Sequence, residues 1–242
     1  MINYCKLLYF LIFSSLLKLR VTWSLASFLC FCFMYFFKNN KKNTIILYCP
    51  KTIFNEDMKQ IISERPNVGY TKLSREFLRI IFKSSFNEKV EHLNFNKSYF
   101  CPENLKKYEN MIKLILIPAL KKIGVKYYIT CDFIYYYERL LRELFFKEDI
   151  HTIVILKENI KSSAQHKAWH WYLKNNEKKL SFVSMIFTFN NTMTNQLKNV
   201  FNTKDITIKT IAAPRINKLF NENSNKILKN HFNRLVFFDI AD

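Results

Sequence analysis

D-I-H-T-I-V-I-L-K-E-N-I-K-S-S-A-Q-H-K-A-W-H-W-Y, Asp149 to Tyr172, sets the reading of the whole chain. Its β-branched run from His151 to Leu156 has the length and continuous apolarity of a strand buried on both faces, as in parallel sheets. Lys157 and Glu158 follow where that strand would end. Ser162 and Ser163 are candidate caps for an amphipathic helix carrying Trp169 and Trp171. In an open α/β sheet, ligands bind outside the carboxyl ends of the strands. That geometry puts candidate chemistry at Lys157 and Glu158.

The same alternation extends to either side. Upstream, Thr44 to Cys49 reads as a strand stopped by Pro50, and residues 55–63 as a helix capped by Asn55. Pro66 to Gly69 marks a turn, and Ser74 caps a basic helix through Phe82. Residues 84–106 are polar, a loop with a short strand. Tyr108 to Ile123 is a helix with Gly124 as its stop. Val125 to Thr130 is a strand, and Asp132 begins or caps a helix over Phe133 to Phe146. Downstream come a strand at Phe182 to Phe189, a helix at Thr192 to Phe201, and a strand at Ile206 to Ile211. A short helix, Ile216 to Phe220, follows Pro214. Strands separated by single helices imply right-handed crossovers and a Rossmann-like, mainly parallel sheet with helices on both faces. After a polar hinge, Asn221 to Asn233, Leu235 to Ile240 is one more strand, either pairing at the sheet edge or opening a shortened second domain. The expected organisation is therefore an apolar segment at 1–43, a Rossmann-like domain at 44–220, and a hinge with the start of a second domain at 221–242.

Residues 1–37 have a different texture. Leu7 to Leu17 is apolar apart from Ser14 and Ser15, Val21 to Phe37 is apolar or weakly polar, and Lys18 and Arg20 lie between. As a helix the second run would reach roughly 26 Å, the short limit for crossing a bilayer. A cleaved signal peptide ending near Ala26 would have Lys18 and Arg20 interrupting its apolar core. An interfacial hairpin or single spanning helix places those cations at the head groups. A core helix of a soluble domain is the third reading. Membrane attachment is the favoured expectation, with Lys38, Lys41 and Lys42 holding the main domain at the anionic cytoplasmic face.

Composition narrows the chemistry. The 242 residues are 49% hydrophobic and 17% aromatic, which argues against disorder. Net charge is +19, from 38 basic and 19 acidic residues, so an acidic partner or a solvated lysine-rich surface is expected. Only Gly69 and Gly124 occur, too few for a dinucleotide fingerprint or a phosphate loop, and no cofactor is expected. Six cysteines lack metal-ligand spacing and fit a reducing compartment.

His166 and His170 stand i, i+4, but Lys167, Ala168 and Trp169 lie between them, with no carboxylate and no third ligand. No metal site is expected, and His166 is instead a candidate substrate contact. Glu158 is either a general base or one half of an ion pair with Lys157 or Lys161. Asp132 occupies the equivalent place after the preceding strand, as helix cap or cleft residue. Tyr135, Tyr136 and Tyr137 with Arg139 and Arg142 could stack on bases or sugars, though a helix would point them in different directions. No Arg-rich tract or recognition pattern supports nucleic-acid binding.

Several short motifs resemble the N-terminal half of GT-B-type surface carbohydrate biosynthesis proteins, related in architecture to the CDP-glycerol glycerophosphotransferases. They are the Tyr- and Arg-rich Tyr128 to Glu143, V-I-L-K-E-N-I-K-S (154–162), F-T-F-N (187–190) and A-A-P-R-I-N-K-L-F (212–220). The last is similar to a G-x-P-R-x-D-x-L turn, with Ala213 in place of the glycine and Asn217 in place of the aspartate. The final L-V-F-F-D-I also resembles a strand opening a second domain. The resemblance implies transfer of a sugar or polyol-phosphate from a nucleotide donor to a glycan or lipid acceptor. It implies an acceptor-side domain here, with Glu158 deprotonating the acceptor and Lys157 and Arg215 near negative charge. The donor domain would then come from elsewhere, for instance a partner chain. The alternative expectation is a non-enzymatic, membrane-anchored module with a basic lipid-facing surface.

Overall fold

The computed structural model describes residues 2–38, 44–48, 68–86, 102–131, 136–156, 182–201 and 206–211, with Lys167, Trp171 and Lys174 as single helical residues. Six strands form one sheet: β1 (Thr44–Tyr48), β2 (Val68–Lys72), β3 (Val125–Thr130), β4 (His151–Ile155), β5 (Met185–Thr188) and β6 (Thr207–Thr210). Their order is β2-β1-β3-β4-β5-β6, and every ladder is parallel. The expected α/β, Rossmann-like parallel sheet is present. Val68 and Gly69, expected in a turn from Pro66 to Gly69, instead begin the edge strand β2.

Register divides the side chains between two faces. Leu47 pairs with Tyr128, and Val154, Ile186 and Ile208 align across β4, β5 and β6. On this face the sheet buries against the described helices. The opposite face gathers Tyr48, Ile129 and Ile155, all buried, with Ile46, Tyr70, Ile153 and Phe187 beside them. The helix expected at 55–63 lies outside the described residues, as does all but Lys167, Trp171 and Lys174 of the one expected after Ser162 and Ser163.

Local chemistry explains the helices. In α3 (Arg75–Ser85), the Ser74 side chain accepts from the Glu76 N–H at 3.2 Å, and Phe77, Leu78, Ile81 and Phe82 form the buried stripe. A long helical stretch follows, α4 (Pro102–Met111), a π-helical turn over Ile112–Leu116, and α5 (Ile117–Ile123). Pro118 accounts for the wide turn: it has no N–H, and its ring would clash with the Leu114 carbonyl in an ordinary α-helix. Gly124 ends the stretch at φ +82, its N–H reaching the carbonyls of Leu120 and Lys121. Helix α6 (Tyr136–Lys147) joins β3 to β4, and α7 (Asn191–Val200) joins β5 to β6.

The apolar N-terminus departs from a spanning arrangement. Helices α1 (Ile2–Leu16) and α2 (Trp23–Phe36) form a hairpin through a 3-10 turn at Arg20–Thr22. The Tyr9 hydroxyl donates to the Leu29 carbonyl, and Phe10 packs on Phe33. Phe77 of α3 is wedged beneath, with ring centroids 4.6 Å from Phe13 and 4.9 Å from Phe33. Helix α2 packs against the π turn and α5, burying Ala26, Cys30 and Met34, and the Thr71 hydroxyl of β2 donates to the Met34 carbonyl. Hairpin and sheet residues therefore share one core, from Phe13 to Ile150. Helices of 15 and 14 residues reach only about 22 Å against a hydrocarbon thickness of about 30 Å. No described helix is long and apolar enough to cross a membrane.

Candidate functional site

The strand order marks the place where open parallel sheets hold their ligands. From β1 the chain steps outward to β2, returns to β3 on the other side of β1, and then proceeds steadily to β6. The direction reverses between β1 and β3, and at such a switch point the flanking connections diverge and leave a ligand crevice at the carboxyl ends of the strands. Here those ends are Tyr48, buried and 6.0 Å from the Tyr70 ring, and buried Thr130 followed by half-buried Cys131. The Leu73 N–H donates to the Tyr48 carbonyl at 3.1 Å, which fixes the end of β1 against the start of α3.

All five residues singled out in the sequence, Lys157, Glu158, Asp132, His166 and Arg215, lie outside the described residues. Their strands do not. Cys131, the last described residue before Asp132, closes β3. Leu156, the last before Lys157, closes β4, is buried, and donates its N–H to the Phe187 carbonyl at 2.8 Å. Strands β3 and β4 are direct neighbours, Thr130 pairing with Val154, so the expectation of adjacent strand ends for these two segments holds.

Further along the same edge, the polar groups are committed to structure. The Asn190 side chain caps α7, accepting from the Met193 N–H at 2.7 Å. Thr188 Oγ1 donates to the Asn190 carbonyl at 3.0 Å and lies 2.5 Å from Thr194 Oγ1. Thr194 Oγ1 is 2.7 Å from Thr210 Oγ1, which in turn is 2.7 Å from the Asn191 side-chain amide. Three hydroxyl protons cannot fill four such contacts. All four are satisfied once the Asn191 amide turns its NH₂ toward Thr210, so protons run from Asn191 through Thr210, Thr194 and Thr188 to the Asn190 carbonyl. This chain clamps the first turn of α7 to β5 and β6.

A second polar group lies beneath the sheet. Glu138 and Arg142, one turn apart on α6, are both fully buried, and the Tyr128 hydroxyl donates to Glu138 Oε2 at 2.9 Å. Burial pushes the Tyr108 phenol well above its usual range, and the nearby Glu138 charge pushes it further. Arg142, a candidate for stacking on bases or sugars, is thereby a core residue. Exposed charges elsewhere pair weakly: Lys121 with Glu148 at 2.5 Å, and Lys147 with Glu143 at 2.7 Å, a hydrogen bond that raises the Lys147 pKa. Among the described residues no cluster of three or more His, Cys, Asp or Glu could hold a metal ion.

The chain matches no protein-family model, no curated protein and no solved structure.

Sequence reasoning missed the switch point because it missed β2. Without that strand the sheet runs in one direction and has no reversal. The available signal was the alternation in V-G-Y-T-K, outweighed there by Pro66 and Gly69.

Proposed function

We propose that this is a membrane-associated, glycosyltransferase-like domain acting on the acceptor side of surface glycan assembly. The reaction is transfer of a sugar or polyol-phosphate from a nucleotide donor to a glycan or lipid hydroxyl. The reading is supported by one observation above others. The V-I-L-K-E-N-I-K-S stretch begins within β4, a buried central strand of an all-parallel sheet, one strand away from the topological reversal. Glu158 takes the proton from the acceptor hydroxyl as its oxygen attacks, and the nucleotide departs with the bonding electrons. Lys157 and Arg215 offset the phosphate charge, and Asp132 and His166 contact the acceptor. With only two glycines in the chain, a domain outside these residues, on a partner chain for instance, supplies the phosphate-binding loop.

Donor binding by the chain alone, and turnover after adding membrane extract that supplies the donor-binding domain, test this reading with a panel of nucleotide sugars and CDP-polyols, wild type beside Glu158→Gln. A general base contributes about 10²–10⁴-fold, so turnover should fall by at least about 100-fold in the variant. Turnover that is indifferent to Glu158 removes its role. Saturable donor binding by this chain alone overturns the assignment of the donor site elsewhere. The second reading, a non-enzymatic membrane module, is favoured by the apolar surface that α1 and α2 leave uncovered, and predicts that adding this chain to the extract changes turnover with no donor.

A further inference from the structure

We propose that the outward face of the α1–α2 hairpin docks in the plane of an anionic lipid bilayer, inserting to the depth of the head-group boundary without crossing. This deepens the membrane part of the reading above and is independent of its transferase part.

Helix α1 is apolar on two sides. Tyr9, Phe10 and Phe13 face inward, onto α2 and Phe77. Tyr4, Leu7, Leu8, Leu11 and Ile12 recur at i, i+3, i+4, i+7 and i+8, a continuous helical stripe, and are 46–79% exposed. On α2, Leu25, Phe28, Tyr35 and Phe36 are exposed, and at the tip of the hairpin so are Leu19 and Val21. Beyond this hairpin, the exposed large apolar side chains among the described residues are only Leu114, Phe146 and Trp171. Concentration on one helical hairpin, rather than scatter, marks an interaction surface.

Charge selects the occupant. No acidic residue precedes Glu56, whereas Lys18 follows α1 at the tip of the hairpin and Lys38 follows α2. Lys121 and Lys122 of α5 lie exposed beside α2, with the Lys122 ammonium 4.4 Å from the Phe31 ring centroid and 5.9 Å from that of Phe28. An exposed lysine whose ammonium rests over aromatic rings at the rim of an apolar surface is within reach of anionic head groups at that boundary. A second copy of the chain would set two lysine rims of the same sign together, against a net charge of +19. Tyr4 and Tyr35, apolar rings with polar tips, also suit the interface. In-plane docking follows from helix length, and the inner faces remain committed to the protein core.

Flotation of the full chain with phosphatidylcholine vesicles, with and without phosphatidylglycerol, provides the test. Wild type should bind the anionic vesicles at least about 10-fold more strongly than the neutral ones. Leu8→Asp/Leu11→Asp should lose at least about 10-fold of that binding, with far-UV dichroism and urea midpoint unchanged, because both side chains point away from the core. Lys122→Glu, which leaves the apolar stripe intact, should weaken binding at least about 5-fold, the scale of one interfacial lysine. Tryptophan introduced as Leu11→Trp should be quenched more by lipids brominated near the head group than by lipids brominated at the chain ends. The proposal fails if wild type does not float, if the aspartate variant floats equally, or if quenching is greatest at the chain ends. A discrete dimer abolished by the aspartate variant, without flotation, assigns the surface to a second copy instead. Turnover is measured separately on the same preparations, so absence of turnover with intact flotation counts only against the transferase reading.

Discussion

Truncating Phe77 to alanine asks whether the N-terminal hairpin belongs to the folded domain. Phe77 sits on α3 and is fully buried, with ring centroids at 4.6 Å from Phe13, 4.9 Å from Phe33, 5.2 Å from Phe10 and 6.0 Å from Tyr9. Removing a buried phenylalanine costs about 3–5 kcal/mol in lost transfer energy and residual cavity. Edge-to-face partners add about 0.5–1.5 kcal/mol each beyond area, without simple additivity. All four partners lie on α1 and α2, so most of that loss depends on the hairpin being in place. We expect Phe77→Ala to cost about 4–5 kcal/mol in urea unfolding and roughly 10–15 °C in Tm for a chain of this size. A cycle with Phe13→Ala should give a coupling of about 1–2 kcal/mol, whereas Phe28→Ala, at a position 52% exposed, should cost under about 1 kcal/mol. If the hairpin sits apart from the domain, Phe77 becomes a surface residue. A cost below about 1 kcal/mol, or zero coupling to Phe13, would refute the packing.

Two further outcomes follow from local chemistry. Gly124→Ala should destabilise by about 1 kcal/mol in denaturant titration, because an added Cβ meets nothing within 4 Å and only the left-handed backbone, φ +82, opposes it. Alkaline pH should unfold the protein early. Burial raises the Cys30 and Tyr108 pKa values above their ordinary 9.0 and 10.0, so the folded state keeps protons that the unfolded chain releases. The stabilisation is complete below those ordinary values and declines above them by about 1.4 kcal/mol per pH unit for each group. Urea midpoints should therefore start to fall near pH 9 in wild type, and nearer pH 10 in Cys30→Ala. An unchanged onset would mean that Cys30 is not buried as a thiol.

The central sheet was readable because its strands are buried on both faces and bounded by strong punctuation. Val125 to Thr130 follows Gly124 and matches residue for residue, and His151 to Leu156 overshoots its strand by one. Strand β2 was illegible: among the described residues it pairs only with β1, and its five residues include a glycine. The hairpin was ambiguous for a different reason. A helix apolar on all sides has the same composition whether its second face meets protein or lipid, and only the packing of Ala26, Cys30 and Met34 separates the cases. The π turn before Pro118 was likewise hidden, since tertiary packing decides whether a proline breaks or merely widens a helix. For the site, the sequence located strand ends but not the strand order, and the reversal between β1 and β3 exists only in the order. Arg142 read as a candidate for stacking on bases or sugars, and Glu138 drew no reading, because nothing in a linear pattern shows Tyr128 donating to Glu138 from β3.

The hairpin's place in the core has a consequence for the birth of the protein. Translation proceeds from α1 toward β6, and ribosomes add about 5–20 residues per second. Met34 thus emerges on the order of 10 s before Ile123 completes the helix that covers it. In the first part of that interval, before Phe77 and the rest of α3 follow, both faces of the hairpin are bare, and the nascent chain presents two apolar helices with no acidic residue to keep them from a membrane or a chaperone. A hairpin that meets lipid first, before its inner face is claimed by α3 and α5, would tie the site of folding to the surface of a membrane.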